Sequence, residues 1–145
     1  MMHIKKFEAQ YLDDVCEIEK ICFSAPWSKQ DLSAQINSET SHFLVAVDDD
    51  DTAVGYMGLQ IFLGEGYVTN VAVLPQYRKQ GIAESLILEQ LKNEMDFITL
   101  EVRKSNAPAI RLYSKTGFET VGVRPRFYSN PDEDAVIMTK FLKKV

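Results

Sequence analysis

The feature that most restricts the fold is a strand, a turn and a helix leading to a second strand, all between Val71 and Val102. Val71-Ala72-Val73-Leu74 is an apolar strand that Pro75 stops. An amphipathic pattern then runs from about Arg78 to Met95, with Ile82, Leu86, Ile87, Gln90 and Leu91 on one side. Phe97 to Val102 reads as a strand buried behind that helix. Elements in this order form a right-handed crossover with both strands parallel in one sheet, and the helix start falls at the sheet's carboxyl edge. A helix start leaves about four N–H groups unpartnered and carries roughly half a positive charge, so this corner is predicted to hold an anion such as a pyrophosphate. Gly81 and Ala83 keep the approach open, and Arg78 adds charge at the rim. No Gly-Lys-Ser/Thr follows, so the corner is not a Walker loop.

The flanking chain supplies the rest of a sheet. A short strand near His3 to Phe7 leads to a helix with Val15, Ile18, Glu19, Cys22 and Phe23 at helical spacing. Pro26-Trp27-Ser28 opens a second helix, with Ser28 and Asp31 spaced as an N-terminal cap. Strands at about His42 to Val47, Ala53 to Leu63 and Glu65 to Leu74 form an antiparallel meander, with Gly64-Glu65-Gly66 as the tight turn. After the crossover, Asn106 is an N-cap, Pro108 sits in the first turn of a helix and Gly117 ends it. Asn106 and Tyr113, two turns apart, are read as facing the same side, toward the sheet. Strands at about Glu119 to Phe127 and Ala135 to Phe141 close a mixed sheet with helices on both faces.

Composition narrows the function. With 145 residues and 46% hydrophobic content, one globular domain over residues 1–145 is expected. The first residues lack the apolar stretch of a signal peptide and no run could cross a membrane, so a cytoplasmic location is predicted. Cys16 and Cys22 lie six residues apart in a helix and are read as unpaired thiols. His3 and His42 alone give little support for a metal site or a histidine-based triad. A net charge of −5 argues against nucleic-acid binding and favours a cationic partner. Asp48 to Asp51 is read as a solvated turn. Asp132-Glu133-Asp134 is read as a loop whose charge is either solvated or turned to a basic substrate.

Taken with these motifs, the chain resembles the GNAT superfamily of N-acetyltransferases, and within it the bacterial ribosomal-protein-alanine N-acetyltransferases of the RimI type. The resemblance rests on Pro26-Trp27-Ser28, Asn70-Val71-Ala72-Val73, Arg78 through Ala83, and Leu100-Glu101-Val102-Arg103. It continues through Ser105-Asn106, Leu112-Tyr113 and Gly117-Phe118 to Arg124, Tyr128 and Glu133 through Met138. It implies an α/β (α+β) GNAT fold. Such a fold has a mixed, mostly antiparallel central sheet of about seven strands with a parallel splayed pair, flanked by about four helices.

The same resemblance implies acetyl-CoA as cosubstrate, with no metal. Val71, Ala72 and Val73 would contact the pantetheine arm. Arg78, Lys79, Gln80, Gly81, Ile82, Ala83 and Glu84 would cradle the pyrophosphate, and Asn106 would touch the cofactor. A backbone N–H near Val73 would polarise the thioester carbonyl. Glu101, on the strand face alternate to Ile98, Leu100 and Val102, is implied as the base that takes a proton from the amine, directly or through water. Tyr113 is implied as the acid toward the departing thiolate. The implied partner is a basic protein N-terminus, that of a small-subunit ribosomal protein. Trp27, Tyr128 and Asp134 are the candidates for the substrate side, against readings as core aromatic, edge-strand tyrosine and solvated loop. Other amines as acceptor, a non-catalytic acetyl-CoA-binding module and a nucleotide-binding protein remain open at this point.

Overall fold

The computed structural model describes residues 2–142, and the predicted crossover stands at its centre: β4 (Glu65–Val73), α3 (Ile82–Gln90) and β5 (Phe97–Arg103). Before it come β1 (His3–Lys6), α1 (Leu12–Cys22), α2 (Lys29–Ala34), β2 (Leu44–Val47) and β3 (Ala53–Phe62). After it come α4 (Ala107–Lys115), β6 (Glu119–Tyr128) and β7 (Glu133–Phe141). Among the described residues the seven strands form one sheet in the order β1-β2-β3-β4-β5-β7-β6. Every neighbouring pair is antiparallel except β4 with β5. This is the mixed α/β architecture expected. The expected domain runs to both chain ends, which lie outside the described residues.

Two cores lie on opposite faces of the sheet. Helix α1 buries Val15 and Ile18 with Leu32 of α2 against Phe43, Val45, Tyr56 and Ala72. Helices α3 and α4 bury Ile82, Leu86, Ile87 and Tyr113 against Ile98, Leu100, Val102, Val136 and Met138. Each large aliphatic side chain so buried contributes roughly 1.5–3 kcal/mol. The caps are as the sequence indicated. Ser28 Oγ accepts from Asp31 N at 3.0 Å, and Asn106 Oδ1 accepts from Ala109 N at 3.2 Å. Cys16 and Cys22 are unpaired. No helix among the described residues is long and apolar enough to cross a membrane.

The parallel ladder between β4 and β5 is short. It pairs Glu65 with Phe97, Gly66 with Ile98 and Tyr67 with Thr99, then stops. Across β3 the register slips, because Leu59 pairs with Val68 and Gly58 with Asn70, leaving Thr69 as an extra residue. Such a bulge bends its strand, and β4 diverges from β5 beyond it. Gly58 makes the room: a Cβ there would overlap Thr69 Oγ1 and come within 2.6 Å of the Phe43 ring. Strand β5 meanwhile stays paired with β7 along its whole length, from Phe97 with Phe141 to Arg103 with Ala135. The result is a gap with Val71 to Val73 on one bank and Leu100 to Arg103 on the other.

Several local expectations are corrected. The helix starts at Ile82, after a 3-10 turn over Pro75–Tyr77, and ends at Gln90 rather than near Met95. Its delay follows from Lys79 and Gly81, whose φ values of +64° and +80° are left-handed and cannot continue a helical turn. At the far end Asn93 Nδ2 donates to Gln90 O at 2.9 Å. The β3–β4 turn is Leu63-Gly64, both with positive φ, while Glu65 and Gly66 already belong to β4. Glu133 and Asp134 lie in β7 and not in a loop. The aspartate run is a turn as expected, but Asp51 is engaged, accepting from Tyr11 Oη at 2.7 Å and from Lys5 Nζ at 3.1 Å.

Candidate active site

The gap exposes main-chain groups of β4. Leu74 N donates to Val54 O on β3, so by the alternation of an antiparallel ladder Ala72 also faces β3. Val71 and Val73 therefore turn their N–H and C=O groups the other way, across the gap. A thioester arm lying there would meet strand backbone, with the Val73 N–H among the donors on offer. The Val73 carbonyl already has partners: Arg78 Nε donates to it at 2.9 Å, and Cys22 Sγ lies 3.6 Å away. Arg78 thus folds back onto the strand and does not reach out as rim charge.

The corner before α3 is shaped for an anion by its backbone. Two left-handed residues, Lys79 and Gly81, flank Gln80 and bend consecutive amides into a concave loop. Gly81 is the helix N-cap and supplies no side-chain cap, so the amides of Ile82, Ala83 and Glu84 are left to an outside acceptor. A Cβ on Gly81 would meet nothing within 4 Å, so the space above the corner is open. Glycine is required here by φ, not by crowding within the chain. The carboxylate of Glu84, adverse to a bound anion, is held by Lys115 Nζ of α4 at 2.9 Å. These residues fit a diphosphate.

Glu101 stands on the face of β5 opposite Leu100 and Val102, half-buried, paired through the backbone with Ile137. Arg124 Nε of β6 donates to Glu101 Oε1 at 3.2 Å and orients the carboxylate. Beside it, Tyr128 is half-buried with the Arg103 guanidinium 4.5 Å above its ring centre and Phe127 edge-on at 5.0 Å. Arg103 is fixed by Ser129 O at 3.0 Å, Pro131 O at 2.9 Å and Glu133 Oε1 at 3.3 Å. Burial pushes the Tyr128 phenol up, and the Glu101 carboxylate pushes it further. Tyr113 is almost fully buried in the α3–α4 core, tilted against Phe118 with ring centres 5.6 Å apart. Burial raises its hydroxyl well above the ordinary phenol range, with Tyr128 adding to the shift.

Other candidates are placed differently. Asn106 is exposed and its Oδ1 caps α4, so it does not face the sheet beside Tyr113. Asp134 Oδ1 accepts from Arg126 N at 2.9 Å, and Glu133 Oε2 accepts from Ser105 N at 2.6 Å. The acidic group therefore pins the β6–β7 hairpin to the β5–α4 loop. Trp27 is partly buried, its ring centre 6.2 Å from that of Phe43. The sequence reading assigned no role to Arg103, Arg124 or the buried trio Glu19, Tyr56 and Asn70. A signal was present for Glu19, an acid on the apolar stripe of α1, where burial demands partners.

A splayed parallel pair, a helix start without a side-chain cap at its mouth and a carboxylate on the facing strand are parts that acyl transfer from a thioester can use. The profile of the Acetyltransferase (GNAT) family matches residues 12–118, and the chain belongs to that family. It is 35% identical over 140 residues to a Bacillus subtilis (strain 168) protein provisionally named a ribosomal protein bS18-alanine N-acetyltransferase, covering 93% of this chain and 92% of that one. The crystal structure of the ribosomal-protein-alanine N-acetyltransferase of Escherichia coli superposes with a TM-score of 0.90 at 28% identity, covering 100% and 96% of the two chains. Arabidopsis thaliana NAA60 in complex with acetyl-CoA shares the fold, with a TM-score of 0.89 at 21% identity, covering 98% and 99%.

Proposed function

We propose that this protein transfers the acetyl group of acetyl-CoA to the α-amino group of the N-terminal alanine of ribosomal protein bS18, in the cytoplasm. The observation that carries the reading is Glu101, oriented by Arg124 on the strand across the gap from β4. Relatives named for this activity match over nearly the whole chain, and a net charge of −5 suits a basic chain end.

Acetyl-CoA supplies the activated acyl group. Lys79 to Glu84 hold its diphosphate by main-chain N–H groups, with Val71 and Val73 along the arm. The α-amine attacks the thioester carbon while the Val73 N–H stabilises the oxygen; a C–N bond forms and the C–S bond breaks. An α-ammonium with a pKa of about 7.7–8.0 must first lose a proton, which Glu101 accepts directly or through water and passes to solvent. The second proton that the nitrogen sheds as the amide forms leaves by the same route. The departing sulfur takes charge. A phenol at its ordinary value giving its proton to a thiolate whose thiol has a pKa near 8.5 already goes uphill by roughly 2 kcal/mol. Burial makes Tyr113 a weaker acid still. Tyr113 therefore donates a hydrogen bond to the sulfur, and the thiolate collects its proton from solvent. Trp27 and Tyr128 flank the acceptor, while Asp134 acts through the hairpin.

Incubation with acetyl-CoA and a peptide beginning Ala-Arg, read by intact mass, tests the reading. Gain of one acetyl group, lost when the peptide N-terminus is blocked, supports it. Acetylation only of an internal lysine or a small amine refutes the acceptor.

A further inference from the structure

We propose that Glu19 is a positioning residue for the acceptor, a role that rests on the N-terminal acetyltransferase reading. Glu19 is fully buried in α1, and all of its side-chain partners are donors. The backbone N–H of Trp27 reaches Oε1 at 2.7 Å. Tyr56 Oη donates to Oε2 at 2.5 Å, and Asn70 Nδ2 lies 3.4 Å from the same oxygen. One carboxylate thus ties together the α1–α2 connection, the middle of β3 and the bulged part of β4. An ionic acceptor in a dry site makes the strongest of such bonds.

These three partners surround the acceptor side of the gap. Asn70 precedes Ala72 by two residues and shares its face, the one covered by α1. Glu101 faces the same side, because Ile98, Leu100 and Val102 point into the α3–α4 core. Continuing the Tyr67–Thr99 register past the extra residue Thr69 brings Asn70 level with Glu101 across the gap. The end of α1 closes the mouth, with Cys22 Sγ 3.6 Å from Val73 O. Glu19 therefore holds the wall opposite the proposed base, with Trp27 on it. None of its side-chain partners belongs to the corner at Lys79 to Glu84. Asn70 Oδ1 is the buried side-chain atom left without a partner among the described residues, so Glu19 is what orients that amide.

The test compares wild type with Glu19→Gln, and with Tyr56→Phe in case the first does not fold. A glutamine turns an N–H₂ group toward donors and releases at least one of them. Glu19→Gln should raise the KM for the Ala-Arg peptide by about tenfold or more, with kcat and the Kd for CoA within about threefold. Tyr56→Phe should move the same constants in the same direction, by less. Trp27 is the single tryptophan of the chain, so acrylamide quenching of its fluorescence reports the connection directly and should increase in Glu19→Gln. Folded variants with wild-type peptide KM overturn the proposal, as does a CoA affinity that weakens in parallel with KM. If wild type acetylates no peptide, the functional reading falls, and quenching still judges the brace: increased quenching upholds it and unchanged quenching overturns it.

Discussion

Replacing Gly81 by alanine separates the two demands placed on the corner before α3. The residue has φ +80°, and a left-handed conformation costs an L-residue about 1–2 kcal/mol. Nothing in the chain lies within 4 Å of the added Cβ, so no steric cost accompanies the backbone cost. With about 2.1 cal/mol/K of unfolding entropy per residue, 145 residues carry about 0.3 kcal/mol/K. A loss of about 1 kcal/mol therefore lowers Tm by about 3 °C. The methyl group projects into the open approach to the helix amides, where a diphosphate must come within hydrogen-bonding distance. We expect the Kd for CoA to rise by about 10–100-fold, or roughly 1.4–2.8 kcal/mol. Gly117→Ala is the control: φ is +102° and its Cβ meets only the movable end of Lys140, far along the chain from the corner. It should lower Tm comparably and leave CoA binding unchanged. Calorimetry with CoA and a thermal melt on each variant decide the matter. A Gly81→Ala protein that melts about 3 °C early yet binds CoA with wild-type affinity refutes the assignment of this corner to the diphosphate.

Three other outcomes are expected. Glu101→Gln should reduce kcat/KM for the peptide by about 100-fold at pH 7, with a smaller deficit near pH 9 where the amine is already neutral; a pH-independent deficit removes Glu101 as base. Tyr113→Phe should cost no more than about tenfold in kcat, with the loss constant from pH 6 to 9, since the buried hydroxyl is raised and does not ionise there; a titrating loss in that range contradicts the hydrogen-bond role. Glu133 is held below the usual carboxylate range by Ser105 first and Arg103 next. Its contribution is present above the unfolded value near 4.3 and is lost as pH falls through the lower folded value. Glu133→Gln should therefore melt below wild type at pH 7, with the gap closing at acidic pH; a gap that persists at low pH shows that charge is not what Glu133 provides.

Much of the fold was legible because its signals are local. The apolar stripe of Val15 and Ile18, the caps at Ser28 and Asn106, and the strand-helix-strand order each depend on neighbours a few residues away. The start of α3 was misread because a helix-compatible pattern does not reveal a left-handed lysine at position 79. The loop placement of Glu133 and Asp134 missed the strand because an acidic run looks the same whether it meets solvent or an amide such as that of Arg126.

From residue types and spacing alone come the right-handed crossover, the helix start at the carboxyl edge and the alternation that sets Glu101 opposite Leu100 and Val102. Chirality and strand period enforce these whatever the surroundings. Where β4 leaves β5, which carbonyl Arg78 takes, that Arg124 faces Glu101 and that Glu19 joins Trp27, Tyr56 and Asn70 were decided by tertiary structure. Glu101 with Arg124 and Glu19 with Tyr56 and Asn70 join residues far apart in the chain, while Arg78 with Val73 and Glu19 with Trp27 join neighbouring elements five and eight residues apart. Their partners are selected by packing and by the need to satisfy buried polar groups, and no pattern within a single segment encodes that choice.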